Sequence, residues 1–272
     1  MGQDPVKDRL AVALSAAEEA GAYSLKLYQN PSLEVEIKPD NSPVTKADKE
    51  GEKIIRAAIS SSFPTDAVLG EEHGDTPGSS GYRFVIDPID GTRSFASGIP
   101  TYAVLIGVQD TRTCKIVAGV AHFPALRETL WASAKGGAWW KTATGQTRRA
   151  EMQDAGGSTL DLSQAHIQTA SAQSYRKQNR TAAFDALSSK AARFHGWNDA
   201  FSFALAGTGR AHAVVGFAFS LWDVAPFAIF FEEAGGTLTD WKSGDITQRA
   251  KTAVGAATRT HAELVKTLRG FD

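Results

Sequence analysis

The sequence contains a single cysteine, Cys114, and almost no net charge. One thiol cannot form a disulfide within the chain or build a metal–thiolate cluster, so we expect a reducing, cytoplasmic environment. The 29 Lys and Arg residues nearly balance the 30 Asp and Glu residues, which gives a formal charge of -1. A general nucleic-acid or acidic-membrane partner would normally require a basic excess, so we expect neither.

Long apolar runs are also scarce. The stretch from Ala213 to Phe231 is almost wholly apolar, but Asp223 and Pro226 lie near its middle. An unpaired charge at the centre of a bilayer costs about 2.5–3.5 kcal/mol. The stretch therefore predicts a buried strand followed by a buried helix, and no membrane span.

Several catalytic signatures are missing. The six histidines show no metal-ligand spacing, which argues against a histidine-rich zinc site. The absence of a Gly-x-Ser-x-Gly motif disfavours an α/β-hydrolase. A phosphatase of the haloacid dehalogenase type would need two Asp residues separated by one residue near the N-terminus. Here Asp87 and Asp90 are separated by two residues.

Apolar periodicity predicts an α/β protein with a boundary near its middle. In the first half we predict helices over 5–28 and 46–61 and strands over 33–38, 68–70, 82–86, 102–109, 115–122 and 128–134. In the second half we predict strands near 165–170, 192–196, 211–217, 236–241 and 252–257 and helices near 180–190, 199–207, 223–234 and 260–269. Because residues 141–163 are polar and rich in turn formers, we divide the chain into halves 1–145 and 146–272, which form one catalytic unit.

The densest chemical signal is the run Asp87-Pro88-Ile89-Asp90-Gly91-Thr92. A buried strand before it would deliver Asp87 to the strand's carboxyl end, where α/β sheets place their ligands. Asp90 could then cap a following helical turn, leaving the Gly91 and Thr92 amides available for an anion. The alternative is that Asp90 is an ordinary helix cap and Asp87 a turn residue.

Acids at two further element boundaries favour the metal–phosphate interpretation. Glu71 and Glu72 follow the strand at 68–70, and Asp223 opens the helix at 223–234. If these acids converge on Asp87 and Asp90, like charges about 4 Å apart repel by roughly 4 kcal/mol per pair at an effective dielectric of 20. Such a cluster needs cations, and ligands that are all oxygen favour Mg²⁺.

These motifs, in this order, resemble the inositol monophosphatase superfamily of Mg²⁺-dependent, lithium-sensitive phosphomonoesterases. The resemblance extends from residue 10 to about 260 and is carried by 43–48, 70–72, 87–92, 221–225 and 233–236. It implies a layered αβαβα sandwich of the inositol monophosphatase and fructose-1,6-bisphosphatase type, usually assembled as a homodimer.

The resemblance also implies roles for individual residues. Glu71, Asp87 and the Ile89 carbonyl would bind a first Mg²⁺, and Asp87, Asp90 and Asp223 a second, with a third ion possible beside Glu71. Thr92 and Asp48 would orient and deprotonate the attacking water. The amides of Gly91 and Thr92 would hold phosphate oxygens.

The substrate implied is a small phosphorylated polyol or amino alcohol, contacted by Asp90, Arg93, Asp199 and Asp223. The stretches 98–102 and 198–203, which include Asn198 and Asp199, resemble the histidinol-phosphate phosphatase branch. Asp199 could instead simply cap the helix that it begins. Gly216 departs from both the histidinol and the inositol branches, which usually have a substrate-contacting Glu there.

Histidinol phosphate is therefore expected slightly ahead of inositol monophosphate. A 3′(2′),5′-bisphosphate nucleotidase, a broad sugar-phosphate phosphatase and a non-catalytic ligand-binding relative remain as alternatives.

Overall fold

In the computed structural model, helices and sheets alternate in five layers. The structure describes residues 4–196, 199–247 and 251–271. One helical layer covers the outer face of a large sheet, a second lies between that sheet and a smaller one, and a third covers the smaller sheet. This order confirms the αβαβα sandwich that the sequence predicted.

The first helical layer consists of α1 (Pro5–Leu25) and α2 (Lys46–Ser62). Asp4 caps α1 by accepting a hydrogen bond from the Val6 N–H. Small side chains on the buried face of α1 let α2 and the sheet approach closely; they are Ala13, Ala16, Ala17 and Ala20. The prediction for α1 was three residues too long, because the chain turns after Leu25.

The large sheet has eight strands in the order β10-β9-β8-β7-β6-β5-β3-β4. The strands are β3 (Ala67–Gly70), β4 (Gly74–Thr76), β5 (Tyr82–Asp90), β6 (Ala103–Asp110), β7 (Lys115–Phe123), β8 (Glu128–Ser133), β9 (Gly137–Lys141) and β10 (Thr147–Arg149). The sequence analysis missed β4 and β10, which are polar and only three residues long, and β9, which follows the glycines that were expected to end β8.

Strand β5 is longer than predicted, since it continues through Asp87 to Asp90. Its pairing with β6 is irregular between these two residues, where Pro88 lacks a backbone donor. The turn comes only at Gly91, whose φ is 82°, a conformation suited to glycine. A short helix, α3 (Thr92–Ala96), follows directly.

The middle layer contains α6 (Asp199–Gly207) and α7 (Leu221–Glu233). Glycines in β6 and β7 let α7 lie very close to the large sheet. A Cβ atom on Gly119 would lie 2.6 Å from the Pro226 Cα, and one on Gly107 would lie 2.8 Å from the Ala225 Cβ. This close packing fixes the N-terminus of α7, which carries Asp223.

The smaller sheet has the order β12-β11-β13-β15-β14 and mixes parallel and antiparallel pairs. Its strands are β11 (His166–Thr169), β12 (Arg193–Phe194), β13 (Ala213–Phe217), β14 (Gly236–Thr239) and β15 (Thr252–Ala257). The helices on its outer face are α4 (Ala172–Lys177), which was not predicted, α5 (Thr181–Ser188) and α8 (Thr258–Leu268).

Two further features complete the fold. A hairpin of β1 (Val35–Ile37) and β2 (Pro43–Thr45) precedes α2. The apolar stretch from Ala213 to Phe231 forms β13 and the start of α7, as predicted. Among the described residues, no helix has both the length and the apolarity needed to cross a membrane.

Candidate active site

Three carboxylates from two distant parts of the chain meet at the carboxyl end of β5. Asp87 and Asp90 lie on β5, and Asp223 lies in the first turn of α7. One oxygen of each lies within 4.8 Å of the corresponding oxygen of the other two. The structure thus brings together three of the four acids that the sequence analysis considered, and Glu71 is not part of this group.

Burial makes this cluster electrostatically unfavourable without a cation. Burial, and then the charges of Glu71 and Asp90, raise the pKa of Asp87 well above its usual range. Burial, and then Asp199 and Asp223, do the same for Asp90. Burial also raises the pKa of Asp223 to about 7, although a hydrogen bond from the Ser220 N–H acts to lower it. A buried set of three carboxylates provides the oxygen donors that suit a hard divalent cation.

Asp48 and Thr92 form a hydrogen-bonded pair beside the cluster. The Thr92 Oγ1 lies 2.9 Å from the Asp48 Oδ1 and 3.1 Å from the Ile89 carbonyl oxygen. The other carboxylate oxygen of Asp48 accepts from the Thr45 N–H at 2.8 Å and from the Thr45 hydroxyl at 2.6 Å. This capping box at the start of α2 fixes Asp48 toward Thr92. Burial raises the pKa of Asp48, so its carboxylate is a stronger base than an exposed one.

Glu71 lies close enough to raise the pKa of Asp87, but its carboxylate is engaged by a lysine. The Lys38 ammonium, just beyond β1, lies 2.9 Å from the Glu71 Oε1 and 2.6 Å from the Glu72 Oε1. Burial raises the pKa of Glu72 to about 7, although the Lys38 hydrogen bond opposes this. Burial alone would lower the pKa of Lys38, but its two hydrogen bonds outweigh burial and raise it.

A fully buried acid on α2, Glu52, holds the turn that follows β3 in place. The Glu52 carboxylate accepts from the Glu72 N–H at 2.7 Å, from the His73 N–H at 3.1 Å and from the Arg56 Nε at 2.7 Å. The sequence analysis passed over Glu52 and Lys38. Glu52 could have been found, because it lies four residues after Asp48 and thus on the same helix face. No local pattern marks Lys38.

Asp90 does not cap the helix that follows it, and this corrects the sequence interpretation. The N-cap of α3 is Gly91, without a side-chain hydrogen bond. Asp90 instead accepts a hydrogen bond from the Ala200 N–H, in the first turn of α6. The reason is that β5 continues through Asp90 and points its side chain toward the middle layer.

A cavity of about 450 Å³ opens beside the cluster. Every residue expected to contact substrate, namely Asp90, Arg93, Asp199 and Asp223, lines it, together with Gly216. The Asp199 carboxylate lies 3.5 Å from the Ser94 hydroxyl, and its pKa is raised by burial. Asn198, the first residue of the predicted 198–203 stretch, lies outside the described residues.

The stretch 98–102 packs behind the site. The Tyr102 side chain is fully buried, and its hydroxyl lies 3.0 Å from the Ser24 hydroxyl in α1. The Tyr28 hydroxyl donates to the Gly98 carbonyl. These contacts tie the segment after α3 to the end of α1.

Comparison with known sequences identifies the fold and the chemistry together. The family model described as the inositol monophosphatase family matches residues 6–270. The chain belongs to the inositol monophosphatase family. Among curated relatives, a histidinol-phosphatase from Chlorobaculum parvum is 35% identical over 239 residues, covering 86% of each chain. A histidinol-phosphatase from Streptomyces coelicolor is 32% identical over 262 residues, covering 95% of this chain and 96% of that protein.

A solved structure agrees. The extragenic suppressor protein suhB from Bartonella henselae superposes with a TM-score of 0.85 at 27% identity, over 97% of this chain and 99% of that one. As a member of the inositol monophosphatase family, the chain is a phosphoric monoester hydrolase acting on small phosphate esters. The homodimer and the division of the chain after residue 145 stay predictions.

Proposed function

We propose that the chain is a Mg²⁺-dependent phosphomonoesterase that prefers histidinol phosphate. The meeting of the Asp87, Asp90 and Asp223 carboxylates within 4.8 Å carries the metal assignment. The proposed ligands of two ions are Glu71, Asp87, the Ile89 carbonyl, Asp90 and Asp223, and a third ion could bind beside Glu71. When bound, Mg²⁺ would acidify a water molecule and neutralise charge on the phosphate and the leaving oxygen.

The chain's own residues would handle the proton of the attacking water. A Thr92 hydroxyl that donates to the Asp48 Oδ1 keeps its lone pairs for a water O–H. The proton would then pass through the Thr92 Oγ1 to Asp48, whose pKa is raised by burial. The Gly91 and Thr92 amides would hold phosphate oxygens, because they lie at the start of α3, where backbone N–H groups have no partner within the helix.

The preference for histidinol phosphate rests on Asp199. This acid lies in the cavity with Asp90 and Asp223, where a carboxylate suits an alcohol part that carries cationic nitrogen groups. The two curated relatives described above are histidinol-phosphatases. Arg93 also lines the cavity, and we propose that it contacts the substrate near the phosphate.

A phosphate-release panel tests the proposal. The purified enzyme is assayed with histidinol phosphate, inositol 1-phosphate, fructose 1,6-bisphosphate and adenosine 3′,5′-bisphosphate, with Mg²⁺ and with EDTA. We expect the highest kcat/KM on histidinol phosphate, and full loss of release in EDTA that added Mg²⁺ restores. Comparable kcat/KM on all four esters would overturn the preference, and release in EDTA would overturn the metal dependence.

Three substitutions test the assigned residues. Asp87→Asn should lower kcat by about 10³-fold or more, since the missing charge weakens metal binding.

Thr92→Ala should lower kcat with little change in KM, whereas Thr92→Ser should retain most activity because it keeps the hydroxyl. Asp199→Asn should raise KM for histidinol phosphate and leave KM for inositol 1-phosphate nearly unchanged. Full Mg²⁺-dependent activity in Asp87→Asn would refute the ligand assignment.

A further inference from the structure

One wall of the active-site cavity is formed by an aromatic ring. At this place the resemblance to the histidinol and inositol branches had implied a Glu carboxylate. Gly216 on β13 has no side chain, and the Phe219 ring fills the space in front of it. A Cβ atom on Gly216 would lie 2.7 Å from the Phe219 Cζ. The two residues are therefore coupled, because any side chain at 216 would displace this ring.

Other aromatic rings hold Phe219 in place. Its ring centroid lies 5.3 Å from that of Phe203 on α6, at an interplanar angle of 74°, which is a favoured edge-to-face arrangement. Phe203 in turn stacks on Phe227 of α7 at 5.0 Å. Phe219 lines both the active-site cavity and a neighbouring cavity of about 360 Å³, and thus forms a wall between them.

A buried hydroxyl in the same cavity lacks a partner. Ser202 lies three residues after Asp199 on α6, hence on the same helix face, and both line the cavity. Ser202 is only 3% exposed. Its Oγ has no hydrogen-bond partner among the described residues. An unsatisfied buried hydroxyl is unfavourable, so a polar atom of a ligand would stabilise it.

We propose that Phe219, Ser202 and Asp199 form a ring subsite that selects phosphate esters whose alcohol carries a flat nitrogen heterocycle. This rests on the phosphomonoesterase function proposed above. A heteroaromatic ring offers an apolar face for Phe219 and in-plane nitrogen atoms for the Ser202 hydroxyl and the Asp199 carboxylate. A polyol would have to bury hydroxyls against the Phe219 ring without partners, which is costly.

Two variants test the subsite, with a matched control. Phe219→Leu removes the aromatic face but keeps an apolar side chain, and Ser202→Ala removes only the hydroxyl. Phe201→Leu is the control, because Phe201 is a half-buried phenylalanine on α6 that does not line the cavity. We expect each test variant to lower the kcat/KM ratio of histidinol phosphate to inositol 1-phosphate by about 3- to 10-fold, chiefly through KM. The control should keep the wild-type ratio.

Inhibition by histidinol, the phosphate-free alcohol, separates this proposal from the proposed function. Histidinol is added while the enzyme hydrolyses glycerol 2-phosphate, and the inhibition constant is measured. Phe219→Leu and Ser202→Ala should each raise it by about 3- to 10-fold. This measurement reports on the subsite even if histidinol phosphate is not the preferred ester. No phosphate release from any ester would instead be a failure of the proposed function.

Coupling between Gly216 and Phe219 provides a second test. Gly216→Ala should weaken histidinol inhibition as Phe219→Leu does, because the new Cβ displaces the ring. The inhibition constant of histidinol for the double variant should be no higher than the higher of the two single-variant values. Both changes remove the same contact, so their effects should not add. Thermal midpoints verify that the variants fold. Equal losses on all esters, unchanged inhibition constants or additive effects would each overturn the ring subsite.

Discussion

At the scale of single residues, four acids of the site each have one carboxylate oxygen held by a backbone N–H group. The pairs are Asp48 with Thr45, Asp87 with Ile89, Asp90 with Ala200 and Asp223 with Ser220. Such hydrogen bonds orient a carboxylate before any cation arrives and offset part of its desolvation. The second oxygen of Asp87, Asp90 and Asp223 is thus available for the proposed metal ions.

His122 on β7 gives a prediction that is independent of the metal site. Its ring packs against Gly21 of α1, and its Nδ1 lies 2.9 Å from the Thr129 hydroxyl. Burial lowers its pKa to about 4. Between pH 7 and pH 5 the unfolded chain therefore binds a proton that the folded chain excludes, so stability falls as the pH falls.

His122→Asn, which cannot titrate, isolates this effect. Wild type should lose about 2 kcal/mol more unfolding free energy than this variant between pH 7 and pH 5, as measured by urea denaturation. Equal pH dependence in wild type and His122→Asn would contradict the prediction.

At the scale of elements, the position of α7 depends on the glycines beneath it. A methyl group on Gly119 would collide with the Pro226 backbone, which cannot move without moving α7. Gly119→Ala should therefore destabilise the protein by about 1–3 kcal/mol. It should also weaken Mg²⁺ binding about tenfold by displacing Asp223, as measured by calorimetric titration.

Gly145→Ala is the matched control for this prediction. Gly145 has a φ of 84°, and no atom lies within 4 Å of a Cβ built there. Its substitution should cost about 1 kcal/mol through backbone strain and leave Mg²⁺ affinity unchanged. If Gly119→Ala lost stability but bound Mg²⁺ as wild type does, α7 would not be what positions Asp223.

At the scale of the whole molecule, both sheets and the middle layer converge on the acid cluster. Folding raises the pKa of Asp223 to about 7 and the pKa values of Asp87 and Asp90 well above their usual range. The folded, metal-free protein thus keeps protons that the unfolded chain has released. Its stability should fall as the pH rises through about 7.

Mg²⁺ should reverse this loss. At a concentration about 100 times its Kd, it should add about 2.7 kcal/mol of stability, a rise in Tm of roughly 5 °C or more. The rise should be larger at pH 8 than at pH 6, because Mg²⁺ competes with protons for the carboxylates. Asp87→Asn should be more stable than wild type without metal at pH 8 and respond weakly to Mg²⁺. A Tm insensitive to Mg²⁺ at both pH values would refute this linkage.

The sequence by itself predicted the features that depend on local chemistry. Apolar periodicity predicted α2, α6 and the central strands, because burial of one face follows from residues close in the chain. Acids at the ends of apolar runs predicted the site, since α/β sheets gather such ends. Short polar strands such as β4 and β10 were missed, because pairing with a neighbouring strand, and not their own side chains, makes them strands.

Only the tertiary structure decided which distant groups meet. Asp90 accepts a hydrogen bond from the Ala200 N–H in α6, Lys38 pairs with Glu71, and Phe219 packs against Phe203 of α6. Each contact depends on strand order and on how closely the layers approach, and no nearby sequence pattern encodes either. Local sequence patterns were therefore enough to select the acids of the candidate site. The shape of the cavity, which bears on substrate choice, came from packing between layers.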